Sequence, residues 1–142
     1  AQLSRGLGDV YKRQLLSYSN FGSSMNSKVA KITEALKIIN ETEPNLSIDG
    51  EIQADFALNK EKREQIFPFS NLKENANTLI FPNLDSGNIA YKLMQEFDDV
   101  EAIGPILIGM KKPVHILQLS CSVREIVNMV TIAVIDAQTK RK

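Results

Sequence analysis

Short apolar runs alternate along this chain with longer segments in which apolar residues recur every three or four positions. The short runs have the length of buried strands and lie at 15–19, 46–48 and 78–81. The longer segments have the period of amphipathic helices and lie at 27–40, at 60–67, after residue 86 and from Ser122 onward. Strands separated by helices form βαβ units, so the sequence predicts an α/β fold, three-layered around a mostly parallel sheet.

Polar residues and prolines mark the expected ends of these elements. Asn59 is expected to cap the helix 60–67, and Asp85 or Ser86 the next one. The apolar stretch Val100–Ile108 predicts one or two further strands around Gly104-Pro105. The last helix carries a wide apolar stripe, which must pack either on this sheet or on another domain.

The two ends of the chain differ from its body. Residues 1–14 show no sustained apolar period, and Gly6–Gln14 resemble a translated sequencing adapter. We therefore leave 1–14 out of the fold interpretation as a non-native segment, and expect a native sequence that is cut off upstream of Leu15. Residues 139–142 are interpreted as a basic tail.

Composition excludes several classes of protein. The 142 residues fit one domain, and a single Cys can form neither an internal disulfide nor a zinc cluster. No apolar run approaches the roughly 20 residues of a membrane span. Residues 15–139 hold 16 acidic and 11 basic side chains, a poor match to nucleic acid. We expect a cytoplasmic protein with no metal site, nucleic-acid partner or membrane partner in this chain.

Two polar stretches stand where ligands bind in open α/β sheets, between a strand and the start of a helix. The first is 17–24, rich in hydroxyls; the second is 83–88, with Lys92 one turn further on. Both also suit ordinary caps and turns, and neither is a known phosphate-loop motif. The ligand contacts expected there are Ser17, Ser19, Gly22, Ser23, Asp85, Ser86, Gly87, Asn88 and Lys92.

Other chemically active residues have plain structural interpretations. Asp49-Gly50 is typical of a β-turn, although Asp49 and Glu51 could supply carboxylates. His115 lies between apolar neighbours and is interpreted as a hydrogen-bonded structural histidine. Ser122 and Glu125 have the spacing of a capping box, in which the glutamate carboxylate returns to the N–H of the cap residue.

Several longer motifs resemble the phosphate acetyltransferase family. They are Leu15–Ser19 with Gly22-Ser23, Ile48–Asp55, Leu79–Lys92, Glu101–Leu107 and Lys112–Val114, in the family's order and spacing. The resemblance covers 15–138 and corresponds to the C-terminal part of the family's domain. It implies a two-lobed fold like that of isocitrate and isopropylmalate dehydrogenases, with the coenzyme A site between the lobes.

Further motifs resemble the branch found at the end of NADP-dependent malic enzymes, where the domain is expected to sense acetyl-CoA. They are Phe67–Ser70, Asp85–Asn88, Gly109–His115 and Val123–Met129. This branch implies acetyl-CoA or CoA as ligand, NADP and a divalent metal only in a malic enzyme part outside this chain, and an upstream lobe and homo-oligomeric assembly as partners.

The family's catalytic pattern is altered in this chain. Active members carry a Ser-Arg pair just before a Gly-Cys-Ser step and an Asp four residues after the Cys. The resemblance aligns the pair with Gln118 and Leu119, the Asp with Glu125, and keeps Cys121 and Ser122 as ligand contacts. Leucine offers neither charge nor donor to a phosphate, so we expect acetyl transfer to be absent or severely reduced.

Three functions remain open at this point. The first is a regulatory acetyl-CoA module of a malic enzyme that decarboxylates malate oxidatively to pyruvate. The second is an active phosphate acetyltransferase, which moves acetyl between CoA and phosphate. The third is an α/β interaction module without a small ligand.

Overall fold

A computed structural model describes residues 11–97 and 102–139. Three short strands form its sheet: β1 (Arg13–Leu16), β2 (Ile48–Ile52) and β3 (Thr78–Ile80). All pair in parallel, in the order β2-β1-β3. The five helices are α1 (Ser27–Thr42), α2 (Ala54–Leu58), α3 (Lys60–Ile66), α4 (Leu84–Gln95) and α5 (Val123–Thr139).

Helices cover both faces of the sheet, so the prediction of an α/β fold with a parallel sheet is confirmed. On one face Leu15 and Ile48 pack against Ile32 of α1. On the other face Leu16 and Ile52 pack against Ala57 of α2, and four phenylalanine rings extend this cluster with edge-to-face contacts. Because the side chains of β1 alternate between the two clusters, this central strand ties the layers together.

Two of the predicted strands are displaced. β1 begins at Arg13 and ends at Leu16, before the predicted end at residue 19, because Ser19 turns inward to a buried carboxylate. β2 begins at Ile48 and continues through Asp49-Gly50, so the prediction of a β-turn there is wrong. A bulge absorbs the extra residue: Leu15 pairs with Gly50 and Leu16 with Ile52, which leaves Glu51 unpaired in the ladder.

The predicted strands at Val100–Ile108 do not form within residues 102–108, and the first two residues of that range lie outside the described part. Pro105 has no N–H to donate to a ladder, and Ile103, Leu107 and Ile108 are exposed rather than packed between helices. These apolar residues therefore run along the surface without a strand partner.

The helix predictions hold, with small shifts at the ends. Asn59 caps α3, as expected, whereas α4 is capped by Asn83 instead of Asp85 or Ser86. The five-residue helix α2 was not predicted. Every helix among the described residues is too short or too polar to cross a bilayer.

The sheet includes the last two residues of the segment 1–14. Arg13 and Gln14 belong to β1, and Gln14 is fully buried with both amide atoms lacking a hydrogen-bond partner in the described part of the chain. A buried amide without partners is destabilising, and an apolar side chain would suit this position better. The boundary at residue 15 stays a prediction.

Candidate functional site

The sheet opens into a crevice at the carboxyl ends of β1 and β3. After β1 the chain crosses through α1 to β2 on one side, whereas β3 lies on the other side. In an open parallel sheet this reversal of strand order is where ligands bind. The crevice holds about 510 Å³. Its polar lining consists of Ser17, Tyr18, Lys28, Lys31, Asn83 and Ser86.

Glu51 fixes the loop that forms one wall of the crevice. Its side chain is buried; one carboxylate oxygen accepts from the Ser19 hydroxyl at 2.9 Å and from the Gly22 N–H at 2.7 Å. The other oxygen accepts from the Thr33 hydroxyl of α1 at 2.9 Å. The carboxylate therefore connects three parts of the fold, namely β2, the loop that follows β1, and helix α1. These hydrogen-bond partners all belong to the protein itself.

This network involves three of the four ligand contacts predicted in the first stretch, whose ligand contacts stay a prediction. Ser19 is fully buried, and its oxygen also accepts the Ser24 N–H at 3.0 Å and lies 3.2 Å from the Ser23 oxygen. The Gly22 N–H is used by Glu51. Ser19, Gly22 and Ser23 thus maintain the loop, and only Ser17 of the four predicted contacts lines the crevice.

The second predicted stretch forms the start of α4, where the Asn83 side chain accepts the Ser86 N–H at 2.9 Å. Ser86 lines the crevice, while Asp85 and Asn88 are exposed beside it. Gly87 lies against Phe81, and a Cβ there would stand 3.5 Å from the Phe81 Cβ and 3.6 Å from its ring. This stretch therefore combines a cap, a packing position and one crevice contact.

A second, smaller cavity brings together two of the three residues that the resemblance aligns with the family's catalytic positions. It holds about 50 Å³, room for one or two waters. Lys92 of α4, Gln118, Cys121 and Glu125 line it, whereas Leu119 points away with its side chain fully exposed. The sequence-predicted residues thus divide between two sites, linked by α4.

Glu125 is held in the predicted capping box. Its carboxylate accepts the Ser122 N–H at 2.6 Å, and its own N–H donates to the Ser122 hydroxyl at 3.2 Å. Hydrogen bonds from the backbone and side chain of Ser122, with a weaker contribution from the charge of Lys92, hold the pKa of Glu125 below its ordinary value. A carboxylate with a lowered pKa is a weak general base at neutral pH.

We expect Ser122→Ala to raise the pKa of Glu125 toward its ordinary value, because the side-chain hydrogen bond is lost. In the wild type the capping box stabilises the fold above the ordinary glutamate pKa, and this contribution disappears as the pH falls through the lowered value. An NMR titration of the Glu125 carboxyl carbon measures the change.

Asp55 is the internal control for this titration, since its pKa is lowered mainly by a hydrogen bond to Lys62 and should not respond to Ser122→Ala. An unchanged Glu125 titration in the variant would contradict the capping-box interpretation.

The remaining predicted groups are structural or unpaired. Both ring nitrogens of His115 are buried and have no hydrogen-bond partner among the described residues, so the hydrogen bond expected of this structural histidine stays a prediction. Cys121 is a partly buried free thiol. Within 11–97 and 102–139, no three His, Cys, Asp or Glu side chains converge as a metal ion would require.

Sequence reasoning missed Lys28 and Lys31, which bring positive charge to the crevice. The available signal was their spacing of three residues in the first turns of α1, directly after the hydroxyl-rich loop. Residues three apart on a helix lie on one face, so both lysines reach the same wall.

Comparisons with known proteins match this chain to one family over most of its length. Residues 1–134 match the family model described as phosphate acetyl/butaryl transferase. The chain is 44% identical over 139 residues to phosphate acetyltransferase of Clostridium acetobutylicum, and 45% identical over 124 residues to NADP-dependent malic enzyme of Haemophilus influenzae. These alignments cover 97% and 87% of the chain.

A solved phosphotransacetylase from Streptococcus pyogenes superposes with a TM-score of 0.86 at 37% identity, over all of this chain and 43% of that one. The chain spans 42% of the C. acetobutylicum enzyme and 16% of the malic enzyme. It belongs to the phosphate acetyl/butaryl transferase family.

Proposed function

We propose that this chain is an acyl-CoA-binding part of a phosphate acetyltransferase-like domain in which transfer of acetyl to phosphate is impaired. In a protein of the malic enzyme type it would act as a regulatory module that senses acetyl-CoA. The observation that carries the proposal is the exposed aliphatic side chain of Leu119, at the position where the family resemblance implies an arginine.

Acetyl transfer between CoA and phosphate makes three demands on a site. A base takes the thiol proton, donors stabilise the tetrahedral oxyanion, and positive charge neutralises the phosphate. Leu119 supplies neither a donor nor charge, and Gln118 replaces the family's serine. Loss of a single oxyanion donor typically costs about 10²–10³ in rate, so the altered pair alone explains a severe loss.

The base position supports the same conclusion. Glu125 corresponds to the family's aspartate, yet its carboxylate is bonded to Ser122 at the start of α5. Because this bonding lowers the pKa of Glu125, the carboxylate has little tendency to accept a proton. To act as a base it would have to leave the helix cap.

An active phosphate acetyltransferase is the second candidate. It is favoured by the 44% identity to the C. acetobutylicum enzyme and by the small cavity that Lys92, Cys121 and Glu125 share. Lys92 supplies a cation to the lining of this cavity, and its ammonium donates to the Gln95 side chain at 3.1 Å.

The two candidates are separated by measuring acetyl phosphate formed from acetyl-CoA and inorganic phosphate. In the whole protein we expect no turnover above background in the wild type and measurable turnover, at least about tenfold above background, in Gln118→Ser/Leu119→Arg, since the variant restores the hydroxyl and the cation that the resemblance implies at these positions. Val114→Arg, which adds an arginine at an exposed position outside the cavity lining, is the matched control. Turnover comparable to that of the C. acetobutylicum enzyme in the wild type would favour the second candidate.

The regulatory part of the proposal concerns the whole protein. Acetyl-CoA should change malate-dependent NADP reduction only if it binds two states of the protein with different affinity. NADP and a divalent metal would bind in a malic enzyme part outside this chain. If acetyl-CoA bound to the whole protein but left the rate of malate oxidation unchanged, a sensing role would be contradicted.

The exposed stripe of α5 fits the two-lobed arrangement that the resemblance implies. Val123, Val127 and Val130 are 78%, 57% and 56% exposed, although they share one side of an apolar helix. In the proposed arrangement a second lobe would cover this stripe. Homo-oligomeric assembly and a cytoplasmic location belong to the same proposal.

A further inference from the structure

Two lysines line the crevice between β1 and β3, and the carboxylate of Asp85 lies exposed beside it without forming an ion pair with either of them. Lys28 and Lys31 line it from α1, and neither forms an ion pair with any residue that the structure describes. The Lys31 ammonium donates to the backbone carbonyl of Pro82 at 3.2 Å, a neutral acceptor on the opposite wall. Two lysines that form no ion pair among the described residues therefore line one cavity.

The start of α4 adds to the attraction for an anion. Asn83 and Ser86 line the opposite wall, and Ser86 lies in the first turn of this 12-residue helix. The positive end of the helix dipole at this point favours negative charge in the crevice. The lysines of α1 and the N-terminus of α4 thus both favour negative charge in the crevice.

Apart from the hydroxyls of Ser17 and Tyr18, the rest of the lining is apolar. Leu16, Ile32, Ala54 and Phe81 contribute to the walls of the crevice. Its volume of about 510 Å³ exceeds what a lone phosphate ion fills. A fitting ligand therefore combines a phosphate group with an uncharged aliphatic or amide portion.

We infer that Lys28 and Lys31 bind the phosphate of a phosphate-ester ligand whose uncharged arm lies along the apolar walls. The inference rests on the proposed function for the identity of that ligand, since CoA joins phosphates to an uncharged pantetheine arm. Lysine binds phosphate as a point charge, so two lysines one helical turn apart provide attraction without a fixed geometry.

Isothermal titration calorimetry of the protein at low salt tests this inference with CoA, pantetheine and inorganic pyrophosphate. We expect Lys28→Gln/Lys31→Gln to weaken CoA binding about tenfold and pyrophosphate binding to a similar degree, because two exposed charge contacts are lost. Pantetheine carries no phosphate, so its affinity should stay unchanged.

Lys37→Gln is the matched control, because Lys37 is an exposed lysine of α1 outside the crevice lining. Its CoA affinity should equal that of the wild type. Raising the salt concentration should weaken CoA binding in the wild type and in this control more than in the double variant, since screening acts on the charges that the double variant lacks. A purely structural role of the lysines would not change this salt dependence.

The outcomes separate the inference from the proposed function. Lysine-dependent binding of pyrophosphate in a protein that does not bind CoA would support the phosphate site and contradict the proposed function. Equal affinities of the double variant and the wild type for both phosphate ligands would overturn the inference, as would a wild type that binds neither. Pantetheine binding that falls together with CoA binding would also overturn it.

Discussion

Replacing Gly50 by alanine is expected to lower the free energy of unfolding by about 3–5 kcal/mol. Gly50 lies in β2 with a φ of +139°, and a Cβ there would stand 2.7 Å from the Leu15 carbonyl oxygen. That oxygen belongs to the backbone of the central strand, so it cannot move aside without disturbing the ladder to β2. Backbone conformation and close contact therefore act together.

Gly22→Ala separates these two effects. Gly22 also has a positive φ, +85°, but no atom of the described residues other than its chain neighbours lies within 4 Å of a Cβ built at this position. Only the conformational cost should appear, about 1–2 kcal/mol. Urea unfolding followed by circular dichroism gives both values, and equal losses in the two variants would contradict the packing of β2 on β1.

Arg63→Met is expected to destabilise the protein by about 3–5 kcal/mol. The Arg63 side chain is fully buried and donates to four backbone carbonyls. Two of these, of Phe56 and Ala57, lie at 3.1 and 3.0 Å in α2. The other two, of Leu72 and Glu74, lie at 3.2 and 2.5 Å in the segment that leads to β3. Methionine fills most of the volume but leaves all four acceptors unpaired.

Two further variants test whether the guanidinium itself is needed. Arg63→Lys keeps the charge but presents fewer donors without the planar fork, so an intermediate loss is expected. Lys60→Met on the same helix removes only an exposed ion pair to Glu64 at 3.7 Å and should cost less than about 1 kcal/mol. If Arg63→Met had the same free energy of unfolding as Lys60→Met, the hydrogen bonds from Arg63 to the four carbonyls would contribute nothing to stability.

Much of the fold could be predicted from local sequence. Helix α1 follows from the period of Val29, Ile32, Leu36 and Ile39, and its observed end lies two residues beyond the predicted one. The capping box at Ser122 follows from spacing alone, because both of its hydrogen bonds are local. These features need no knowledge of distant parts of the chain.

The errors arise where distant contacts decide the structure. Asp49-Gly50 is typical of a turn, yet it continues a strand because the Asp49 carboxylate accepts from the Ser70 hydroxyl at 2.6 Å and from the Asn71 N–H at 2.7 Å. The glycine is needed for its close approach to Leu15 rather than for a turn. No window of local sequence contains these partners.

The candidate site was predicted only in part for the same reason. Hydroxyls near a helix start suggested ligand contacts, but the Ser19 hydroxyl donates to the carboxylate of Glu51, which lies 32 residues further along the chain. Lys28 and Lys31 belong to an ordinary helix face until the strand order places that face beside β3. The assignment of positions 118 and 119 to the catalytic pair is a prediction from the family resemblance, which periodicity could not supply.

A crystal structure of the protein with CoA and phosphate tests the central claim most directly, namely that no cation serves the acceptor phosphate near residue 119. We predict that CoA binds with one of its phosphates at Lys28 and Lys31. We also predict that no arginine or lysine nitrogen lies within hydrogen-bonding distance of the acceptor-phosphate position that the resemblance implies beside residue 119. An arginine or lysine from elsewhere in the protein, occupying that place and bonded to phosphate, would contradict the claim and identify the protein as a working acetyltransferase.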